Sequence, residues 1–257
     1  MKFGVCLPLE NILRDPPAHA DYLEISASEI AELDDARFEQ LRQFVKSGAI
    51  RTYSANNLIP PSIRLTGAGV DLKVLSNYCD RVFERLATLG VTVLVLGSGK
   101  SRQVPEGFPM ERAWKQLVEI GRLLARKAKS YGQTVVIEPL AYTKVNILHT
   151  VAEGATYAKA IGEENFRVLA DFFHFDANGE PYASLTEHRD LLAHTHFATS
   201  RTRTMPKTEE DWAFFTQCLR ALREADYTAA MSFEGGVFSA AELNAMLDRM
   251  KQIEQAL

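Results

Sequence analysis

TVLVLG at residues 92–97 and TVVIEP at 134–139 are short apolar runs rich in β-branched residues and leucine. Between them, ERAWKQLVEIGRLLARKAKSYG at 111–132 repeats its apolar side chains at helical spacing. An unbroken apolar strand is buried on both faces, as in a parallel sheet, and a long helix returns the chain to the start of the next strand. The alternation extends in both directions. KFGVCL (2–7), YLEIS (22–26) and IRTYSA (50–55) come before, and RVLAD (167–171), LLAHTHFA (191–198) and AAMSFE (229–234) come after. The remaining helical segments are ARFEQLRQFVKSG, VLSNYCDRVFERLATLG, TVAEGATYAKAIG, EDWAFFTQCLRALREADY and AAELNAMLDRMKQIEQAL. Glycines such as Gly90 and Gly132 stand just past helix ends, where a C-cap is expected. Eight strands alternating with helices over 257 residues predict an α/β fold, a closed (β/α)8 barrel forming one domain over 1–257. A doubly wound open sheet is the other arrangement this pattern allows. It is weakened because no G-x-G-x-x-G or G-x-x-x-x-G-K-[ST] motif occurs anywhere in the chain.

The composition excludes several classes. Hydrophobic residues make up 46% and charged residues 24%, with 15 Gly and 10 Pro, which rules out a disordered, collagenous or coiled-coil chain. Lys plus Arg total 29 against 33 Asp plus Glu, and a net charge of −4 offers no basic field for a nucleic acid. MKFGVCLPLE is too short an apolar stretch for a signal peptide, and no apolar run is long enough for a bilayer. Cys6, Cys79 and Cys218 are odd in number and widely spaced, so they are expected as reduced thiols in a cytoplasmic protein.

Ionisable residues stand late in four of the apolar runs. Glu138 follows TVVI, Asp171 follows RVLA, His196 lies in LLAHTHF and Glu234 follows AAMSF. A barrel would bring all four to one rim, the C-terminal rim where active sites of this architecture are built. Three carboxylates and an imidazole at one point repel one another unless a cation sits among them. An oxygen-rich set of this kind favours one divalent ion, Mn²⁺, Mg²⁺ or Co²⁺, with Zn²⁺ as the remaining option.

This ordered set resembles the xylose isomerase-like TIM-barrel superfamily, in particular its sugar and sugar-phosphate isomerase/epimerase branch, which includes the ketose 3-epimerases. DFFH at 171–174, HFATSRTRTMP at 196–206 and YTAAMSFEGG at 227–236 are similar to that branch, most clearly from about residue 92 to 236. The resemblance implies a metal held by Glu138, Asp171, His196 and Glu234. It also implies proton abstraction beside a carbonyl through an enediolate, with Glu138 and Glu234 as the acid/base pair. His174, Arg203 and Asn57 would bind substrate, with Arg201 the other arginine open to that role. Glu24 matches a glutamate on the second strand and is expected to support the site.

Other expectations are structural. His194, two residues before His196, is expected as a hydrogen-bonded core histidine one layer deeper. Asp171 could instead cap the following turn, the lesser alternative to its place at the site, and Phe172, Phe173, Phe175 and Trp212 are expected mainly in the core. Lys100 and Arg102 in GSGKSR (97–102) fit either a phosphate contact or a solvated loop. The expected partner is a small carbohydrate, with neither nucleic acid nor membrane and with a homo-oligomer as an open option. A metal-dependent dehydratase of an inosose-like ketone and a catalytically silent sugar-binding barrel remain as alternatives. The DNA-repair endonuclease branch is disfavoured, because Asn56, Asn57 and Gly97-Ser98-Gly99 stand where it would need histidines.

Overall fold

In the computed structural model, which describes residues 1–257, the strands are β1 (Lys2–Cys6), β2 (Tyr22–Ser26), β3 (Thr52–Asn56) and β4 (Val93–Leu96). They continue as β5 (Thr134–Ile137), β6 (Phe166–Asp171), β7 (Leu192–Phe197) and β8 (Ala230–Phe233). Each strand pairs in parallel with the next, and β8 returns to β1 with Met231 opposite Phe3 and Phe233 opposite Val5, so the barrel closes. All eight fall on the segments read from the sequence. The clearest difference in limits is β3, which starts at Thr52 and runs on to Asn56.

The helices form where one face can be buried. Helix Met110–Lys129 buries Ala113, Leu117, Ile120, Gly121, Leu124 and Ala128 at three- and four-residue spacing. Thr208 and Ser239 open the helices Glu209–Glu224 and Ala240–Ala256 with reciprocal capping boxes to Asp211 and Glu242. Gly90 (φ 85°) and Gly132 (φ 67°) adopt the left-handed conformation just past helices Leu72–Thr88 and Met110–Lys129. No helix is long and apolar enough to cross a membrane, and all three cysteines are unpaired.

The main hydrophobic core contains 65 buried residues, and a separate apolar cluster is formed by Val93, Val95, Val136 and Leu169 of β4, β5 and β6. β2, β3, β7 and β8 also carry buried polar side chains: Glu24, Ser54, His194 and Ser232 are all fully enclosed. Side chains two apart on a strand share a face, so His194 lies one layer below His196. Gly4 of β1 is required by close approach, because a Cβ there would fall within the ring of Tyr22, whose hydroxyl lies 2.8 Å from Ser232 Oγ. Gly4→Ala is therefore expected to lower stability by about 1–3 kcal/mol through overpacking, measured as an earlier urea unfolding midpoint.

Candidate active site and metal centre

Four strands deliver four donors to the C-terminal mouth of the barrel. Glu138 directly follows β5, Asp171 ends β6, His196 lies near the end of β7, and Glu234 directly follows β8. One ligand atom from each lies within 4.8 Å of the others. His196 Nδ1 is 3.1 Å from Glu234 Oε2 and 3.9 Å from both Glu138 Oε1 and Asp171 Oδ2. Glu138, Asp171 and His196 are buried, and Glu234 is partly exposed. The two sequence readings of Asp171 are compatible: Oδ1 accepts the backbone N–H groups of Phe173 (2.8 Å) and His174 (3.2 Å), while Oδ2 faces the cluster.

The electrostatics separate the two glutamates. Burial, with the Glu234 carboxylate beside it, pushes the Glu138 carboxyl well above its ordinary range. Burial acts the same way on Glu234, but His196 and Arg203 outweigh it and hold that carboxyl below its ordinary range. For His196, burial is outweighed by Glu24 and Glu234, which raise it well above an ordinary imidazole. Arg203 Nη2 lies 2.6 Å from Glu234 Oε2 and 3.6 Å from Asp171 Oδ2, so a guanidinium supplies positive charge at the cluster. Three convergent carboxylate groups, one imidazole nitrogen and this demand for positive charge fit a single divalent cation.

The second nitrogen of His196 is also engaged. Its Nε2 is 2.9 Å from Glu24 Oε1, which leaves Nδ1 as the nitrogen facing the carboxylates. Burial raises the proton affinity of Glu24, but His196 and His194 outweigh it and hold that carboxyl well below its ordinary range. His194 is fully buried and bonded to Glu24 at 2.8 Å, the core position expected of it.

His174 is buried with Nε2 at 3.9 Å from Glu138 Oε1 and 4.0 Å from Asp171 Oδ2. Its Nδ1 accepts the Ala141 N–H at 3.3 Å, so the ring proton belongs on Nε2, toward the cluster. Burial lowers the imidazole below its ordinary range and keeps it neutral. Arg203 reaches the cluster with its guanidinium 5.1 Å from the centroid of the half-buried Phe173 ring. Arg201 stays exposed at the rim, 4.0 Å from Glu210. Phe172, Phe175 and Trp212 are buried in the core.

One loop gains a residue at the site, and one loop reading changes. Asn57 is exposed, with φ at 50°, and its amide reaches only Asn56 Oδ1 at 3.3 Å. Asn56 is the residue that meets the cluster, donating from Nδ2 to Glu234 Oε1 at 3.0 Å. The extra strand residue at the end of β3 causes this, by turning Asn56 into the barrel. Arg102 fits neither a phosphate contact nor a solvated loop: it is fully buried and donates to the carbonyls of Leu96 (3.2 Å), Glu138 (2.8 Å) and Leu148 (3.4 Å). Lys100 alone is exposed. Gly97 belongs to the site as well, because a Cβ at that position would collide with Glu138 Oε2.

The architecture and this site define the class. The chain belongs to the xylose isomerase-like TIM barrel family, whose model matches residues 18–255. It is 25% identical over 220 residues to the D-psicose 3-epimerase of Agrobacterium fabrum, covering 83% of this chain and 74% of that protein. It is 26% identical over 166 residues to the 3-dehydro-D-guloside 4-epimerase of Escherichia coli, covering 62% of each. The apo crystal structure of the E. coli 3-keto-D-glucoside 4-epimerase shares the fold, with a TM-score of 0.78 over 99% of both chains at 20% identity.

Gly97→Ala tests the packing of the site without removing a polar group. The expected outcome is an unchanged far-ultraviolet circular dichroism spectrum together with displacement of Glu138 Oε2 in a crystal structure of the variant. Retention of Glu138 in place would show that the strand after Leu96 can yield instead.

Proposed function

We propose that this protein is a divalent-metal-dependent isomerase or epimerase of a sugar or sugar phosphate, with Glu138 and Glu234 as its acid/base pair. The observation that carries the reading is the pairing itself. Two glutamates from β5 and β8 meet at one point, and their surroundings push their proton affinities in opposite directions. Titratable groups driven apart in this way suit one to give a proton while the other takes one. The relatives named above support an epimerase over a dehydratase.

In the proposed reaction Glu234, ionised, takes the proton from the carbon beside the substrate carbonyl. The C–H electron pair then moves into a carbon–carbon double bond, and the carbonyl becomes the oxyanion of an enediolate. Glu138, holding its proton, delivers it to the opposite face of that carbon for epimerisation, or to the neighbouring carbon for isomerisation, in which case the hydroxyl proton of the enediolate also passes to the oxyanion as the new carbonyl forms. A divalent cation among Glu138, Asp171, His196 and Glu234 supplies Lewis-acid stabilisation of the negative charge. His174 Nε2–H and the Arg203 guanidinium are the donors positioned to hold substrate oxygens, and Asp171 and His196 act only as ligands. Asn56, rather than Asn57, steadies Glu234 from the β3 side.

The direct test incubates metal-loaded protein in D₂O with ketoses, 3-keto sugars and an inosose, and follows deuterium entering the carbon beside the carbonyl. Incorporation is expected with a sugar, abolished by EDTA, and about 10²–10⁴-fold slower in Glu138→Gln and Glu234→Gln. Stoichiometric metal with no incorporation from any of these substrates would overturn the reading.

Metal affinity should also depend on pH, with a definite sign. The proton affinity of His196 is raised by its surroundings, so it holds a proton on Nδ1 that an incoming cation must displace, whereas Glu138 keeps the proton it delivers in the reaction. Affinity is therefore expected to rise with pH from 6 to 8, with proton release on binding. Calorimetric titration in buffers of different ionisation enthalpy measures both quantities.

A further inference from the structure

Glu24 does not face the mouth of the barrel, yet it is the most heavily hydrogen-bonded carboxylate in the interior. It is fully enclosed on β2. Its Oε1 accepts from His196 Nε2 at 2.9 Å, and its Oε2 meets His194 Nε2 (2.8 Å), Ser54 Oγ (2.5 Å) and Ser232 Oγ (2.6 Å). No lysine or arginine pairs with it; its charge is met by imidazole N–H and hydroxyl groups, with the Cys6 thiol beside it. The donors come from β3, which pairs with β2, and from β7 and β8 across the barrel interior.

We infer that Glu24 is a positioning residue of the metal centre: by accepting the Nε2–H of His196 it commits Nδ1 to the cation, and His194 with the two serines fixes Glu24 for that task. This rests on the metal-dependent reading above and adds to it what determines the ligand atom. A carboxylate that can only accept requires a proton on the nitrogen it faces. The remaining nitrogen, Nδ1, faces Glu138, Asp171 and Glu234, and it is the one that gives up its proton and offers its lone pair when a cation enters. A carboxylate behind a ligand histidine also makes that imidazole a stronger donor.

His194 shows the same logic from the opposite side. Its Nδ1 is buried without a hydrogen-bond partner, and its Nε2 is directed at Glu24, with Ser232 Oγ farther off at 3.4 Å. Leaving a buried ring nitrogen unpaired is unfavourable. An apolar residue would avoid that cost, so the hydrogen bond to Glu24 is the gain that histidine brings. Ser232 donates to Glu24 and is in turn held by the Tyr22 hydroxyl at 2.8 Å, which extends the brace to the first residue of β2.

Glu24→Gln tests this with almost no change of shape. A carboxamide has one acceptor oxygen and one NH₂, so it must present a donor to at least one of the groups that now donate to it. Where NH₂ faces His196, the ring proton moves to Nδ1 and blocks the cation. Zn²⁺ and Mn²⁺ affinity, measured by calorimetric titration, is expected to fall about 10–100-fold, with partial recovery in Glu24→Asp. A purely structural role would lower the unfolding midpoint of the metal-free variant and leave its metal affinity unchanged. Long-range ¹H–¹⁵N spectra of Zn²⁺-loaded wild-type protein give a second readout that needs no variant: the His196 proton is expected on Nε2. Finding it on Nδ1, or wild-type metal affinity in Glu24→Gln, would overturn the role of Glu24 alone. Failure of the wild-type protein to bind either ion at a stoichiometric site would overturn the metal-dependent reading and this inference together.

Discussion

The constraint around which this structure is organised is the meeting of three carboxylates at the mouth of a barrel. Glu138, Asp171 and Glu234 come within 4.8 Å of one another and of His196, and two of the three carboxylates are buried. Charges of one sign at such distances in a poorly solvated site are strongly unfavourable unless protonated or met by positive charge. The protein uses both remedies. Glu138 is driven toward its neutral form, while His196, Arg203 and the Asn56 amide gather on Glu234.

That arrangement explains why the barrel interior is uneven. On the β4, β5 and β6 side it is filled by Val93, Val95, Val136 and Leu169, an ordinary apolar plug. On the β2, β3, β7 and β8 side it is polar, with Glu24, Ser54, His194 and Ser232 enclosed together. The polar side is the one that bonds to His196. Buried polar groups are tolerable only as a satisfied network, and nearly every hydrogen-bonding group here has a partner; His194 Nδ1 is the exception. The polar part of the barrel interior is thus one hydrogen-bonded network that ends on His196.

Much of this could be read from the sequence because the relevant signals are local. An unbroken apolar run ending in Glu or Asp is costly unless the charge has a purpose, and Glu138, Asp171 and Glu234 each announce themselves in that way. His194 and His196 are separated by two residues, and strand periodicity alone places them on one face in successive layers. What could not be read depends on partners far away in the chain or on one residue of strand length. Asn56 rather than Asn57 faces Glu234 because β3 extends to Asn56, and strand limits are the least certain element of any pattern. Arg102 sits among glycines, serine and lysine, so nothing local marks it as buried. Its partners are carbonyls up to 46 residues away.

Arg102 also clarifies the asymmetry of the two glutamates. Its guanidinium bonds the backbone carbonyl of Glu138, which fixes the main chain at the end of β5 without neutralising the carboxylate. The Glu138 side chain is packed over Gly97 and has His174 and His196 as its nearest ring nitrogens, each at 3.9 Å. Glu234 instead receives three direct donors, His196, Arg203 and Asn56, at 3.1, 2.6 and 3.0 Å. Hydrogen bonds to a charged carboxylate favour the charged form, and burial without them favours the neutral form. One glutamate is thus anchored through its backbone and left free to hold a proton at its side chain. The other is anchored through its side chain and kept ionised, and this difference in how the barrel holds each residue is what the proposed division of acid and base rests on.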